Sequence, residues 1–251
     1  MRQFGLIGRT LQHSFSQTYF TQKFYSLGLA DDHRYDLFEL ADIHELPALL
    51  HDNPSLTGLN VTVPYKETVV PFLDELASSA ARVGAVNVIE RCPDGRLRGH
   101  NTDVVGFRDS LRQFFPGGDD SRALVLGAGG AAKAVLVALN DLGISYWSVT
   151  RDLLGQGFTY DELTPALLAA HSLVINATPL GTYPQVNECP RLPYEALGPQ
   201  HYLYDLVYNP SETLFMAKGR EAGAHTKNGF EMLERQAEAA WDIWNGRPAD
   251  E

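Results

Sequence analysis

With 251 residues, 44% of them apolar, the chain has enough material for one large domain or two small ones around packed cores. A formal charge of −11, with acidic and basic residues interspersed, argues against nucleic acid or an anionic membrane surface as partner, so an anionic substrate needs local donors. Cys92 and Cys189 lack metal-ligand spacing, the first residues carry no long apolar run and no stretch is long enough to span a bilayer; a cytoplasmic globular protein without a metal site is the expectation.

In chain order, Phe4 to Gly8 reads as a strand, followed by a polar loop to Ser16. A helix is predicted over Gln17 to Leu29, where Tyr19, Phe20, Phe24 and Leu27 recur at helical spacing. His33 to Leu40 predicts a second strand, Ile43 to Leu50 a helix, and Leu56 to Val63 a third strand that stops at Pro64. Tyr65 to Leu76 reads as a helix interrupted at Pro71. Gly84 to Glu90 and Arg96 to Thr102 form a hairpin across Pro93-Asp94-Gly95. A helix from Val104 to about Phe115 leads into Pro116-Gly117-Gly118-Asp119-Asp120, the clearest linker in the sequence.

A second α/β unit begins at Leu124-Val125-Leu126-Gly127-Ala128-Gly129-Gly130-Ala131-Ala132. An apolar run, a glycine turn and helix-forming residues make the strand–turn–helix of a nucleotide-binding βαβ unit. Gly127 permits the tight turn, Gly129 lets the backbone approach a pyrophosphate, and Ala132 keeps the helix close to the strand. Further strands are predicted at Tyr146 to Thr150, Leu173 to Ala177, Tyr202 to Val207 and Ala224 to Thr226, with helices around Tyr160 to Ala170 and Thr213 to Ala222. The last segment, Phe230 to Trp244, is amphipathic, with Phe230, Leu233, Ala237, Trp241 and Trp244 on one side.

Several residues are able to carry chemistry. In Asn60-Val61-Thr62-Val63-Pro64-Tyr65-Lys66, Asn60 and Thr62 share a strand face, either washed by solvent or lining a site. Lys66 falls in the first turn of the predicted helix: it is a surface lysine, or an amine whose proton is easier to release because a helix N-terminus disfavours a cation. Asp103 is placed to cap the next helix and equally stands at a strand end, where ligands bind in α/β sheets. Asn87, inside an apolar strand, requires a partner. Ser14 and Ser16 either cap the helix after them or point two hydroxyls at one carboxylate. Gln236 is a core glutamine or a ligand contact. His100 and His225 show no metal pattern and read as structural or solvated.

Taken together, separated motifs resemble the shikimate dehydrogenase family over nearly the full length. They are Gly5-Leu6-Ile7-Gly8 with His13-Ser14-Phe15-Ser16, the Asn60 to Lys66 run, Gly84-Ala85-Val86-Asn87 and Gly99-His100-Asn101-Thr102-Asp103. Beyond the linker come Gly127 to Ala131, Asn176-Ala177-Thr178-Pro179, Tyr208-Asn209-Pro210 and Asn228-Gly229 through Gln236. The resemblance implies NADP-dependent interconversion of 3-dehydroshikimate and shikimate in aromatic amino-acid biosynthesis. It implies an α/β substrate domain at residues 1–103 plus 230–251, a Rossmann-like dinucleotide-binding domain at 104–229, and a final helix returning to the first domain.

Carried over residue by residue, Ser14 and Ser16, helped by Tyr208, would hold the substrate carboxylate, and Asn60, Thr62, Asn87, Asp103 and Gln236 the ring hydroxyls. Lys66 and Asp103 would form the catalytic pair, the ammonium protonating the alkoxide left by hydride transfer and the amine acting as base in reverse. The cofactor would meet Gly127, Ala128, Gly129, Gly130, Ala131, Thr150, Arg151, Thr178, Leu206 and Gly229. Three positions depart from the family. Gln17 stands where proline is usual, and Thr182 where methionine is common. Thr150-Arg151-Asp152 replaces Asn-Arg-Thr, without the basic residue common three positions after that threonine. Arg151 favours NADP over NAD. The alternatives are a quinate/shikimate dehydrogenase using NAD, in which threonine is usual at the Ser16 position, and a non-catalytic NADP-binding sensor, which has no use for Lys66 and Asp103. A folate dehydrogenase of similar layout gives Ser14, Ser16 and Gln236 no purpose. Monomer and homodimer both fit.

Overall fold

The computed structural model describes residues 1–11, 14–118, 121–152 and 157–247. His13, the linker residues Asp119 and Asp120, and the run Leu153-Leu154-Gly155 lie outside them. The chain divides into two compact units, residues 1–102 with 237–251 and residues 103–236. The glycine-rich loop at 116–118 therefore lies within the second unit, and the dividing points are the start of the helix at Asp103 and the middle of the final helix.

The first unit is built on a six-stranded mixed sheet. Its strands are β1 (Arg2–Gly8), β2 (His33–Glu39), β3 (Leu56–Val61), β4 (Glu75–Leu76), β5 (Val88–Arg91) and β6 (Leu97–His100), in the order β2-β1-β3-β5-β6-β4. β1 runs parallel to β2 and β3, whereas β5 is antiparallel to β3 and β6. The helices are α1 (Phe15–Ser26), α2 (Leu46–Asp52), α3 (Tyr65–Thr68) and α4 (Ser78–Val83). Both sheet faces are covered: Ile7, Leu59 and Val61 pack with Leu46 and Val69, and Phe4, Leu6 and Tyr35 with Phe20, Phe24, Trp241 and Trp244.

Sequence periodicity departs from this unit at short elements. Tyr65 to Leu76 is not one helix: α3 is four residues, Val70–Phe72 a single 3-10 turn, and Glu75–Leu76 a strand beside β6. Asp74 explains the break, because its backbone N–H donates to Leu97 O at 2.9 Å and its carboxylate accepts from Leu97 N at 2.8 Å. Gly84 does not open a strand but ends α4 in the left-handed region, φ 71°. α1 starts two residues before Gln17, and β3 ends at Val61.

The second unit carries a six-stranded parallel sheet of β7 (Arg122–Leu126), β8 (Ser145–Thr150), β9 (Gly157–Thr159), β10 (Leu173–Asn176), β11 (Tyr202–Asp205) and β12 (His225–Lys227). Its order, β12-β11-β10-β7-β8-β9, is that of a doubly wound dinucleotide-binding fold, with the switch point between β7 and β10. Helices α5 (Asp103–Phe114), α6 (Gly130–Asp141), α7 (Pro165–Ala169), α8 (Leu214–Glu221) and the first half of α9 (Phe230–Trp244) complete it.

From Ala237 onward α9 belongs to the first unit. Ala237, Ala240, Trp241, Ile243 and Trp244 enter its core, and Trp244 Nε1 donates to Ile89 O at 3.1 Å. Only glycine fits opposite: a Cβ on Gly58 would stand 2.1 Å from that indole nitrogen. The predicted apolar stripe is corrected at its start, where Phe230 is exposed and Met232 is the buried residue. No helix among the described residues is long and apolar enough to cross a membrane.

Candidate active site

In the first unit the candidate side chains gather where the parallel strands β1 and β3 end. Asn60 pairs in register with Leu6 on one side and Val88 on the other, and is buried rather than solvent-washed. Its amide requires partners at that depth. Tyr35 OH donates to Asn60 Oδ1 at 2.7 Å, and Asn60 Nδ2 donates to Asn87 O at 3.4 Å. Asn87 Oδ1 accepts from Thr102 N at 2.7 Å, and its Nδ2 donates to Thr102 Oγ1 at 3.0 Å. Ser16 hydrogen-bonds the Tyr35 phenol, which burial pushes well above its ordinary pKa against this smaller downward pull. Tyr35 thus stays a donor. The outcome is a chain of polar groups from Ser16 through Tyr35 and Asn60 to Asn87 and Thr102, and Tyr35 is the member that motif reading passed over.

Ser14 sits at the N-terminus of α1, accepting from Gln17 N at 3.5 Å, while Ser16 lies within the first turn. Thr62 follows the end of β3 and donates its N–H to Ile7 O at 2.9 Å. A Cβ on Gly8 would meet Thr62 Cγ2 at 2.6 Å, which is why β1 ends in glycine. Lys66 O accepts from Val86 N at 2.7 Å, fixing the lysine backbone beside the segment leading to Asn87. The field expected at Lys66 is corrected: α3 is a single turn, so few peptide dipoles align behind it.

The second unit holds the glycine turn. Gly127 has φ 106°, the left-handed region that favours glycine, and Gly129 precedes the first turn of α6. A Cβ on Gly129 or Gly130 would meet nothing within 4 Å, so the glycine turn leaves open space at the start of α6. That space is a cavity of about 730 Å³ lined by Gly127, Ala128 and Gly129, by Thr150, Arg151 and Asp152 at the end of β8, and by Thr178 after β10. It adjoins the switch point and the start of α6, and has the size to take a dinucleotide phosphate. Gly130, Ala131, Leu206 and Gly229 lie outside its lining.

The remaining candidates of this unit sit apart from the cavity. Asp103 opens α5 and is buried. One turn on, a Cβ at Gly106 would come 2.7 Å from Met232 O and 3.0 Å from Gln236 N, so α5 and the first half of α9 pack backbone to backbone. Residues three apart share a helix face, which puts Asp103 on the side of α5 that meets the Gln236 turn. Gln236 is buried and its Nε2 donates to Leu233 O at 2.8 Å. Tyr208 follows β11, 38% exposed, its phenol pKa raised by burial.

The Asn-Ala-Thr-Pro motif has a structural explanation. Asn176 Oδ1 accepts from Thr178 N and Oγ1 at 3.1 and 2.6 Å, shaping the cavity wall, and its Nδ2 donates to Asp205 Oδ1 at 2.9 Å. Burial pushes the Asp205 carboxyl up to about 6, against the hydrogen bonds from Thr213, Val207 N and Asn176. A native pKa above the unfolded one gives stability that is full below the unfolded value and lost as pH rises through the native value. Relative to Asp205→Asn, the wild-type protein should lose on the order of 2 kcal/mol of unfolding free energy between pH 4 and pH 7. Urea unfolding at both pH values measures this, and an identical pH response of the two proteins contradicts it.

No group of three or more His, Cys, Asp or Glu among the described residues is placed to hold a metal ion. The shikimate dehydrogenase substrate binding domain matches residues 6–89. The NADP(+) shikimate dehydrogenase of Carboxydothermus hydrogenoformans is 37% identical over 258 residues, covering 96% of this chain and 91% of the relative. Shikimate 5-dehydrogenase from Thermus thermophilus, solved in complex with NADP(H) and shikimate, superposes with a TM-score of 0.85 at 31% identity, covering 98% of this chain and 94% of that one. Quinate dehydrogenase from Corynebacterium glutamicum, solved in complex with NAD, gives 0.86 at 27% identity, covering 98% and 94%. On the strength of this near full-length identity, together with the doubly wound second unit, the chain belongs to the shikimate dehydrogenase family.

Proposed function

We propose that the protein interconverts 3-dehydroshikimate and shikimate by hydride transfer with NADP(H), a step in aromatic amino-acid biosynthesis. The observation that carries the reading is the buried chain from Ser16 through Tyr35 and Asn60 to Asn87 and Thr102. A polyhydroxylated ring acid needs several oriented donors and acceptors, and an interior that only stabilised the fold has no need of so many polar groups at one sheet end. The similarity to the Thermus thermophilus relative, solved in complex with NADP(H) and shikimate, supports the same reading. Two free thiols, Cys92 and Cys189, agree with a cytoplasmic location.

Ser14 and Ser16, with Tyr208, bind the carboxylate; Asn60, Thr62, Asn87 and Gln236 bind the ring hydroxyls. NADPH, when bound, supplies hydride to the ring ketone. Lys66 gives its ammonium proton to the oxygen that then carries the charge, and Asp103 orients that ammonium. In the oxidative direction the neutral amine takes the proton back. Gly127 to Ala131 and the N-terminus of α6 hold the pyrophosphate, with Thr150 and Arg151 on the adenosine side and Thr178, Leu206 and Gly229 completing the cofactor site.

The test is a comparison of kcat/KM for shikimate and quinate, each with NADP and NAD. The pair shikimate and NADP should be the fastest; preference for quinate with NAD selects the rival enzyme, and NADPH binding without turnover selects the sensor. Tyr35→Phe provides a finer check. Removing the hydroxyl leaves Asn60 Oδ1 short of a buried donor, so unfolding free energy should fall by about 1–3 kcal/mol. Because Asn60 and Ser16 lose their common anchor, KM for shikimate should rise about fivefold while kcat changes little. An unchanged KM contradicts the positioning role of Tyr35.

A further inference from the structure

The cavity beside the glycine turn contains a cation that the sequence motifs do not assign. Of the residues lining it, Arg151 and Arg191 are the basic ones, and Asp152 is the acidic one. Arg151 directly follows the end of β8, where a 2′-phosphate is selected in this fold. From Asp152 to Asp161 the sequence contains no lysine or arginine, so a second positive charge for that phosphate has to come from another segment.

Arg191 is carried by the loop joining β10 to β11, and its backbone is anchored on both sides. Leu192 is buried in the core of the second unit, Tyr194 N donates to Leu192 O at 2.9 Å, and Tyr194 OH donates to Pro190 O at 2.8 Å. The guanidinium itself is exposed and pairs with Asp161 through one Nη1 contact of 3.1 Å. Asp161 directly follows Tyr160, a cavity-lining residue whose phenol feels the charge of Arg151. Of two consecutive residues in one turn, Asp161 pairs with Arg191 and Tyr160 lines the same cavity as Arg151. An exposed ion pair with Asp161 is worth little, so exchanging that carboxylate for a phosphate dianion, which an arginine fork binds with two N–H groups, is favourable.

We propose that Arg191 is a second cation of the 2′-phosphate subsite, so that selection of NADP over NAD rests on Arg151 and Arg191 together. The inference rests on the proposed use of NADP. It deepens that reading by assigning phosphate recognition to a second segment of the cavity wall, in a lining that also includes Asp152, whose carboxylate one arginine alone would barely offset.

Calorimetric titration of the wild-type protein, Arg191→Ala, Arg191→Lys and Arg151→Ala with NADPH, NADH and 2′,5′-ADP tests it without any turnover. Arg191→Ala should weaken NADPH and 2′,5′-ADP about tenfold, as expected for loss of a charge-assisted contact, and leave NADH within about twofold. Arg191→Lys should recover part of the loss, because a point charge replaces the fork. If Arg191→Ala binds NADPH and 2′,5′-ADP like the wild type while Arg151→Ala does not, the role of Arg191 is overturned and the NADP reading stands. If the wild-type protein binds NADH as tightly as NADPH, the NADP reading itself fails and the subsite with it.

Discussion

Lys66→Ala is expected to lower kcat for shikimate oxidation by about a thousandfold while leaving KM within about threefold. The substitution removes the amine but not the framework around it. Lys66 O still accepts from Val86 N, and Tyr65, buried at the base of the same turn, still donates its hydroxyl to Leu40 O at 2.5 Å. The unfolding free energy should therefore change little, which separates a chemical loss from a structural one. Lys66→Arg should not rescue the rate, because a guanidinium does not release its proton in the physiological range. A kcat within tenfold of wild type for Lys66→Ala, as general acid–base roles are sized, would remove the amine from the proton transfer.

Gly229→Ala is expected to destabilise the second unit by about 3 kcal/mol or more, since overpacking against backbone has no cheap relaxation. A Cβ there would lie 2.1 Å from Leu206 O and 2.6 Å from Leu206 C, both main-chain atoms at the end of β11. The two segments are also tied by Gly229 N donating to Val207 O at 3.1 Å, so separating them strips a hydrogen bond as well. Gly129→Ala provides the contrast. Its Cβ meets nothing within 4 Å, so stability should hold while NADPH binding weakens, because the methyl occupies space proposed for the pyrophosphate. Thermal or urea unfolding of both variants, with NADPH titration, distinguishes the two glycines. Wild-type stability of Gly229→Ala would contradict the close approach.

The larger elements were legible because their sequence signals are physical requirements. Leu124 to Ala132 announces β7, a left-handed Gly127 and α6, and the doubly wound sheet follows from alternating strands and helices. Short elements escaped for the opposite reason. β4 is two residues and β9 three, too few to show a period, and α4 is six residues of Ser, Ala, Arg and Val with no clear apolar face. Tyr35 reads as an ordinary strand aromatic, and only the hydroxyl of that side chain, donated from β2 to Asn60, gives it a site role. A signal was present in Asn87, whose place in an apolar run required a partner that the sequence does not name, whereas Asn60, in a run alternating polar and apolar residues, gave no sign of its burial. Arg191 is hidden for a different reason: it sits in a proline-flanked loop without periodicity, and its relation to Arg151 exists only through the cavity both line.

Following 3-dehydroshikimate and NADPH together in the presence of the purified protein, with product identified by chromatography, tests both the reaction and its proton donor. One shikimate should form for each NADPH oxidised, and neither change should occur with Lys66→Ala over the same interval. NADPH oxidation without shikimate, or the same yield of shikimate from Lys66→Ala, would contradict it.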